Sequence, residues 1–289
     1  MEGVARVKKN KLSQFLLYYY CVLILIVATV TVNQINIMQL YMNNERVIHS
    51  VLNYDEFRSL TVHPRLVENL ISSEEDYAAY LAYEMVVKGF DLSREQKVNR
   101  NVWNQIKKVQ GSKVYEELYS YYRSIFSDLM YFPIPNQASG EEYVTFENSW
   151  GAQRTYGGNR LHEGTDIMTS NNVRGYFPII SVSDGVIEKI GWLSQGGYRI
   201  GVRAPSGAYF YYAHLYHYAP DLEEGDEVKA GQLLGFMGDS GYGEEGTVGQ
   251  FDVHLHFGIY LNFNEDEISV NSYWILKYLE QHKLTFDYE

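Results

Sequence analysis

The chain of 289 residues is 46% hydrophobic and 21% charged, so it can bury a sizeable core and leaves little to disorder. Its formal net charge is -12, and the cations of residues 1–14 (Arg6, Lys8, Lys9, Lys11) stand against Glu2 alone, so the remainder is more acidic still. Such a surface repels phosphate backbones and argues against nucleic acid as a partner. A single cysteine, Cys21, excludes an intramolecular disulfide and any cysteine-rich metal site, leaving histidine and carboxylate as the available ligands.

The first element in chain order is Phe15 to Val32, which carries no charge. At about 1.5 Å per residue it spans roughly 27 Å, close to the hydrocarbon thickness of a bilayer. The basic tail 1–14 before it places the N-terminus in the cytoplasm and everything from Asn33 onward outside a cell membrane crossed once. The competing reading is a cleaved signal, for which the segment is long and lacks a small-x-small site.

Residues 33–130 read as an extracellular helical stalk or small helical domain. Apolar residues from Ile35 to Leu52 recur at three- and four-residue steps, continuing the membrane helix outward. Ser72 with Glu75 and Ser93 with Gln96 have the spacing of capping boxes that start later helices. A tyrosine-rich helix over 113–129 places Val114, Leu118, Tyr121, Tyr122, Ile125 and Leu129 on one face, the pattern of packing. His49 and His63 have no ligand partner at a useful spacing.

Pro133 and Pro135 end the helical part, and glycine becomes dense. The rest, 131–289, predicts a mainly β, antiparallel domain with short strands over 176–183, 185–190, 198–202, 208–214, 227–228, 233–237 and 253–259. Asn271 is placed to cap a closing helix that runs to about His282.

Five of the eight histidines fall in this domain's central hundred residues. His162 and Asp166 are four apart, and His214 ends one predicted strand. His254 and His256 share one face of another, because side chains alternate along a strand. Phe251, Val253, Leu255, Phe257 and Ile259 then take the opposite face, so the two rings line a polar cleft where metal and water are natural partners. His217 reads as a surface or tuning residue.

The runs ENSWGAQRTYGGNRLHEGTDIM, DGVIEKIGW, YYAHL, GDEVKAGQLLGFMGDSG and VHLHFGI resemble the lysostaphin/LytM family of peptidoglycan endopeptidases over residues 144–262. The resemblance implies a lipoyl-hairpin-like β fold and one Zn2+ per chain, held by His162, Asp166 and His256, with His214 and His254 as the catalytic pair. It also implies stem or cross-bridge peptides of bacterial cell wall as the substrate. Two departures bear on substrate preference: Asp252-Val253 directly before the H-x-H pair, and a long acidic loop from Gly241 to Gly249. The alternative function is a catalytically inactive wall-binding scaffold or activator. A carrier domain, suggested by GDEVKAGQLLG, is disfavoured because Lys229 does not sit at a hairpin tip in a short carrier motif. The helical region has room for a protein partner, of unspecified identity.

These readings give one expectation for the N-terminal segment. The intact chain stays with membranes through a high-salt wash, whereas a soluble product beginning near Thr31 or Asn33 would make the segment a cleaved signal.

Overall fold

The computed structural model describes residues 14–32, 35, 55–138, 140–156, 158–263 and 266–288; the readings on His49 and on most of the apolar repeat before Leu52 lie outside them. Helix α1 (Gln14–Val32) is long and apolar enough to cross a membrane, as an anchor or a signal would be, and none of it is buried. Thr29 and Thr31 donate their hydroxyls to the carbonyls of Leu25 and Val27, each at 2.8 Å, so neither leaves a polar group unpaired on the apolar surface.

The helical part comprises α2 (Asp55–Arg58), α3 (Pro64–Ser72), α4 (Tyr77–Val87), α5 (Val102–Val109) and α6 (Lys113–Phe126). Between them β1 (Thr61–Val62) and β2 (Asp91–Leu92) pair in parallel. The two predicted capping boxes do not form. Ser72 is the last residue of α3, and α4 is capped instead by Asp76, which accepts the Ala79 N–H at 3.0 Å. The Ser93 N–H is drawn to Asp91 Oδ1 at 2.9 Å, a local turn that competes with helix, and α5 begins only at Val102.

The tyrosine stripe of α6 packs inward as its spacing requires: Val114, Leu118, Tyr121, Tyr122 and Ile125 are buried, and Tyr122 meets Phe57 at a ring separation of 5.8 Å. Leu129 lies beyond the helix end and packs against the same core.

These helices share one apolar core with the β domain and do not stand away from it as a stalk. Asn271 donates its backbone N–H to the Arg58 carbonyl at 2.7 Å, and Arg58 Nε donates to the Ser269 carbonyl at 3.0 Å. Ser124 Oγ donates to the Ser206 carbonyl at 2.6 Å. The sequence could not reveal this docking, because the amphipathic stripes say that a face is covered and not by what.

The β domain is a mostly antiparallel assembly. Its short strands are β3 (Asn136–Gln137), β4 (Val144–Phe146), β5 (Gln153–Arg154), β6 (Arg160–Leu161), β8 (Pro178–Ile180) and β12 (Glu227–Val228). The longer ones are β7 (Thr165–Thr169), β9 (Gly185–Leu193), β10 (Gly197–Arg203), β11 (Tyr209–Tyr218), β13 (Leu233–Met237), β14 (His254–Phe263) and β15 (Asp266–Val270). The main sheet runs β12-β9-β10-β11-β14-β7-β4, with β13 pairing β11 and β8, and β15 pairing β14.

Strands predicted over 227–228 and 233–237 match, those over 185–190, 198–202 and 208–214 extend further, and 176–183 shrinks to β8. The last helix of the helical part ends at Phe126, ahead of the two prolines; the Pro133 carbonyl accepts the Ile180 N–H at 2.9 Å, and β3 pairs in parallel with the closing strand β16 (Thr285–Phe286). Helix α7 (Tyr273–Leu279) is shorter than predicted; Asn271 Oδ1 accepts the Tyr273 N–H at 3.0 Å.

The Tyr122 hydroxyl is fully buried and has no hydrogen-bond partner among the described residues. Burial also pushes its ionisation well above the usual tyrosine range. Removing an unpaired buried hydroxyl while keeping the ring relieves its desolvation cost. Tyr122→Phe is therefore expected to raise stability by about 1 kcal/mol, read as a higher urea midpoint with unchanged slope. A lower midpoint would show that the hydroxyl is satisfied.

Candidate active site

The site is built on the pairing of β14 with β7. Their antiparallel register sets His256 directly opposite Asp166 and His254 opposite Met168. Alternation points His254 and His256 into one cleft while Leu255, Phe257 and Ile259 enter the core. Phe251 departs from the predicted pattern. It precedes the strand, so the period of two does not reach it, and its ring contacts His214 at 4.6 Å and His254 at 5.0 Å within the cleft.

His162 follows β6 and is buried. Its Nδ1 donates to the Ser149 carbonyl at 3.0 Å, and because a carbonyl only accepts, Nε2 keeps its lone pair facing inward. That Nε2 lies 3.0 Å from Asp166 Oδ1 and 3.0 Å from His256 Nδ1, while His256 Nδ1 lies 3.0 Å from Asp166 Oδ1. The three ligand atoms form a nearly equilateral triangle. Three ligands on one tetrahedral ion with bonds near 2.0–2.1 Å would stand roughly 3.3 Å apart, so the residues fit a divalent metal with little movement. Gly164 makes room for this arrangement: a Cβ there would sit 2.6 Å from His256 Nε2 and 2.7 Å from the Phe257 carbonyl.

His214 reaches the cleft by a different device. Strand β11 carries an irregularity opposite β10: Leu215 pairs with Tyr198 and Tyr212 with Ile200, so Ala213 and His214 together face Arg199. Strict alternation would turn the His214 ring toward the core, where Tyr212 and Leu215 are buried. The extra residue instead adopts φ 63°, a left-handed conformation costly for a non-glycine residue, and brings the ring into the cleft beside Ala213. Its backbone N–H donates to the Gly196 carbonyl at 2.8 Å, and Nδ1 donates to the Ser240 carbonyl at 2.7 Å. His254 Nδ1 similarly donates to the Asp252 carbonyl at 2.7 Å. Each ring thus presents its Nε2 as an acceptor, and the two ring centres stand 4.7 Å apart.

The electrostatics follow from burial and neighbours. Burial opposes ionisation of Asp166, yet the surrounding imidazoles of His162, His256 and His254 outweigh it and hold the carboxyl well below the usual carboxylate range. Burial, reinforced by the nearby imidazoles of His254 and His256, pushes His214 well below the usual histidine range, so it is neutral at pH 7. Burial also lowers His256, against the pull of Asp166.

Sequence reasoning missed Arg154. Its Nη2 donates to Asp166 Oδ2 at 2.6 Å, leaving Oδ1 for the histidines. The sequence places this arginine 12 residues away with no periodic relation to Asp166, so only the hairpin of β5 and β6 reveals the contact. Tyr242 was also missed: it stacks on Tyr156 at 3.9 Å and meets His214 edge-on at 6.1 Å, bringing the acidic loop to the cleft mouth. His217 is exposed and packs on Phe236, outside the cleft, and His63 serves only as the N-cap of α3.

A converging triangle of two imidazoles and a carboxylate, with two further imidazoles beside it in an antiparallel sheet, could hold a metal ion. Residues 160–270 match peptidase family M23. Over 216 residues, 74% of the chain, it is 33% identical to an L-Ala--D-Glu endopeptidase of Bacillus subtilis, covering 63% of that protein. It is 35% identical over 103 residues (35% of the chain) to the glycyl-glycine endopeptidase ALE-1 of Staphylococcus capitis, covering 24% of it. The chain thus spans less than two thirds of either relative. A crystal structure from Ruminococcus gnavus ATCC 29149, provisionally described as a LytM glycyl-glycine endopeptidase, superposes with a TM-score of 0.71 at 42% identity, over 81% of this chain and 94% of that one. The chain belongs to peptidase family M23, and the expected lysostaphin/LytM-type, mainly β fold is what it adopts.

Arg154→Ala is expected to weaken metal retention roughly tenfold, the usual consequence of removing a group that orients a ligand. Competition against a chelator measures it, and Arg154→Lys is expected to recover part of the loss. Unchanged retention in Arg154→Ala would remove the arginine from any role in setting Asp166.

Proposed function

We propose that the chain is a membrane-anchored, zinc-dependent endopeptidase that hydrolyses peptide links in bacterial peptidoglycan outside the cell. The observation that carries this reading is the 3.0 Å triangle of His162 Nε2, Asp166 Oδ1 and His256 Nδ1 beside two imidazoles with free acceptor nitrogens. His162, Asp166 and His256 would hold one zinc ion. Bound there, zinc supplies Lewis acidity toward a peptide carbonyl and lowers the pKa of water.

The chain's own residues supply the proton chemistry. Either His214 or His254 would accept a proton from the attacking water at Nε2, with its Nδ1–H remaining tied to a backbone carbonyl that fixes the ring. Protonated, the same Nε2 can return that proton to the leaving amine, and the other histidine can donate to the developing oxyanion. Phe251 and Tyr242 pack against His214 and exclude water from one side of it. The relatives are named for cutting L-Ala--D-Glu and glycyl-glycine bonds, which supports a peptide substrate of that class, and the basic tail before α1 supports an inward N-terminus and an outward catalytic part.

The test uses the full chain in detergent, incubated with purified cell walls of defined cross-bridge, with products read by mass spectrometry. His162→Ala, Asp166→Ala and His256→Ala are each expected to lose both zinc and turnover. His214→Ala and His254→Ala are expected to keep zinc, about one per chain, and to lose about 100-fold or more in turnover. Full zinc in any of the first three variants would overturn the ligand set, and intact wall digestion by either of the last two would overturn the catalytic pair. A zinc-loaded chain that cuts no wall would leave the scaffold reading.

A further inference from the structure

The cleft around the histidines, about 700 Å³, is lined by more than the groups the proposed chemistry uses. Three carboxylates reach it, and each already has a cation: Asp166 has Arg154 at 2.6 Å, Glu163 has Arg58 at 3.6 Å, and Glu267 has Arg203 at 3.0 Å. Lys189 leans outward to Glu224 at 3.6 Å. Arg160 on β6 and Arg199 on β10 remain, and neither forms an ion pair among the described residues. In a chain of net charge -12, two uncompensated guanidinium groups in one cleft form a local positive field.

Both also carry buried N–H groups with nothing to bond. Arg160 Nε and Arg199 Nη1 are shielded from solvent and lack a hydrogen-bond partner among the described residues. Arg160 is held only loosely from its far end, Nη2 donating to the Tyr242 hydroxyl at 3.5 Å. Those two shielded donors lie under the side chains; it is the remaining guanidinium N–H groups of Arg160 and Arg199, both lining the cleft and without an ion pair among the described residues, that can meet an acceptor arriving with the ligand. Their place relative to the reacting centre follows from His214. Arg199 on β10 lies opposite Ala213 and His214 on β11, and Arg160 reaches the hydroxyl of Tyr242, whose ring meets His214 edge-on at 6.1 Å. Both arginines line the same cleft as His162, Asp166 and His256, within reach of residues flanking a peptide bound there.

We propose that Arg160 and Arg199 form a subsite for a free carboxylate on a residue flanking the scissile bond, so that the cleft selects acidic stem peptides over uncharged glycine bridges. This rests on the endopeptidase reading above and names the substrate class within it. A carboxylate offers planar acceptor oxygens that match a guanidinium fork, whereas a carboxamide offers one acceptor and brings two donors toward two cations. A neutral glycine chain offers nothing at that position.

The experiment uses the full zinc-loaded chain and two synthetic probes. One is N-acetyl-L-alanyl-D-glutamyl-L-lysinamide joined so that one glutamyl carboxylate stays free; the other is its D-glutaminyl counterpart, which has no free carboxylate. Turnover and calorimetric binding are measured for both. The expected preference for the acidic probe is roughly tenfold or more in kcat/KM and in affinity. Arg160→Gln and Arg199→Gln are each expected to bring that ratio toward one, and Arg199→Lys to restore part of it. A purely structural role would lower both probes together and leave the ratio, overturning the subsite, as would equal handling of both probes by the wild-type chain. Preferential, arginine-dependent binding without cleavage would uphold the subsite and overturn the endopeptidase reading. Neither binding nor cleavage of either probe would overturn both.

Discussion

Everything in the centre depends on one cross-strand pairing, that of Asp166 on β7 with His256 on β14. Directly opposed residues of an antiparallel pair stand about 4.5–5.5 Å apart at Cβ, close enough for a carboxylate and an imidazole to meet without distortion. A shift of one residue would turn every side chain of either strand to the other face and break the triangle. The register is held by the core beneath it, where Leu255, Phe257, Ile259 and Ile167 are all buried. Hydrophobic burial thus fixes the positions of the polar groups above it.

The remaining groups are brought to that pairing by departures from regular structure. His162 lies just after a two-residue strand and is oriented by the Ser149 carbonyl. His214 lies in a bulge and accepts a left-handed backbone. The cost of that conformation is offset by three bonds around it: its N–H to Gly196, its Nδ1 to Ser240, and Ser240 Oγ to the Leu215 carbonyl. Asp166 is shared between two functions by its two oxygens, one turned to the histidines and one to Arg154.

Charge is arranged at two scales. The chain is acidic as a whole, yet the cleft pairs off its carboxylates and leaves Arg160 and Arg199 bare. The global charge favours solubility and acts at long range, where salt screens it; the local cations act at contact, where burial protects them from screening. The helices before the sheet contribute to the same neighbourhood, since Arg58 both receives the Asn271 N–H and pairs with Glu163 at the cleft edge. Docking of the helical part therefore reaches the rim of the site.

The sequence alone determined the features that depend on local periodicity and on ordered motifs. The alternation around His254 and His256 defined a strand with a polar face, the glycine and proline spacing defined short antiparallel strands, and the apolar run before Val32 defined a helix long enough for a bilayer. The motif order pointed to one set of five residues, and these five do meet in one cleft. Tertiary structure decided what periodicity cannot express. Capping at Ser72 and Ser93 gave way to Asp76 and to a local turn, because which donor a side chain finds depends on where the chain goes next. The stripe on α6 required a partner that turned out to be the same core as the sheet. His214 faces the cleft only because an extra residue breaks the alternation, and Arg154 meets Asp166 only because a hairpin folds back. A sequence pattern encodes which face of an element is covered, whereas the register between distant strands is set by packing the whole core at once.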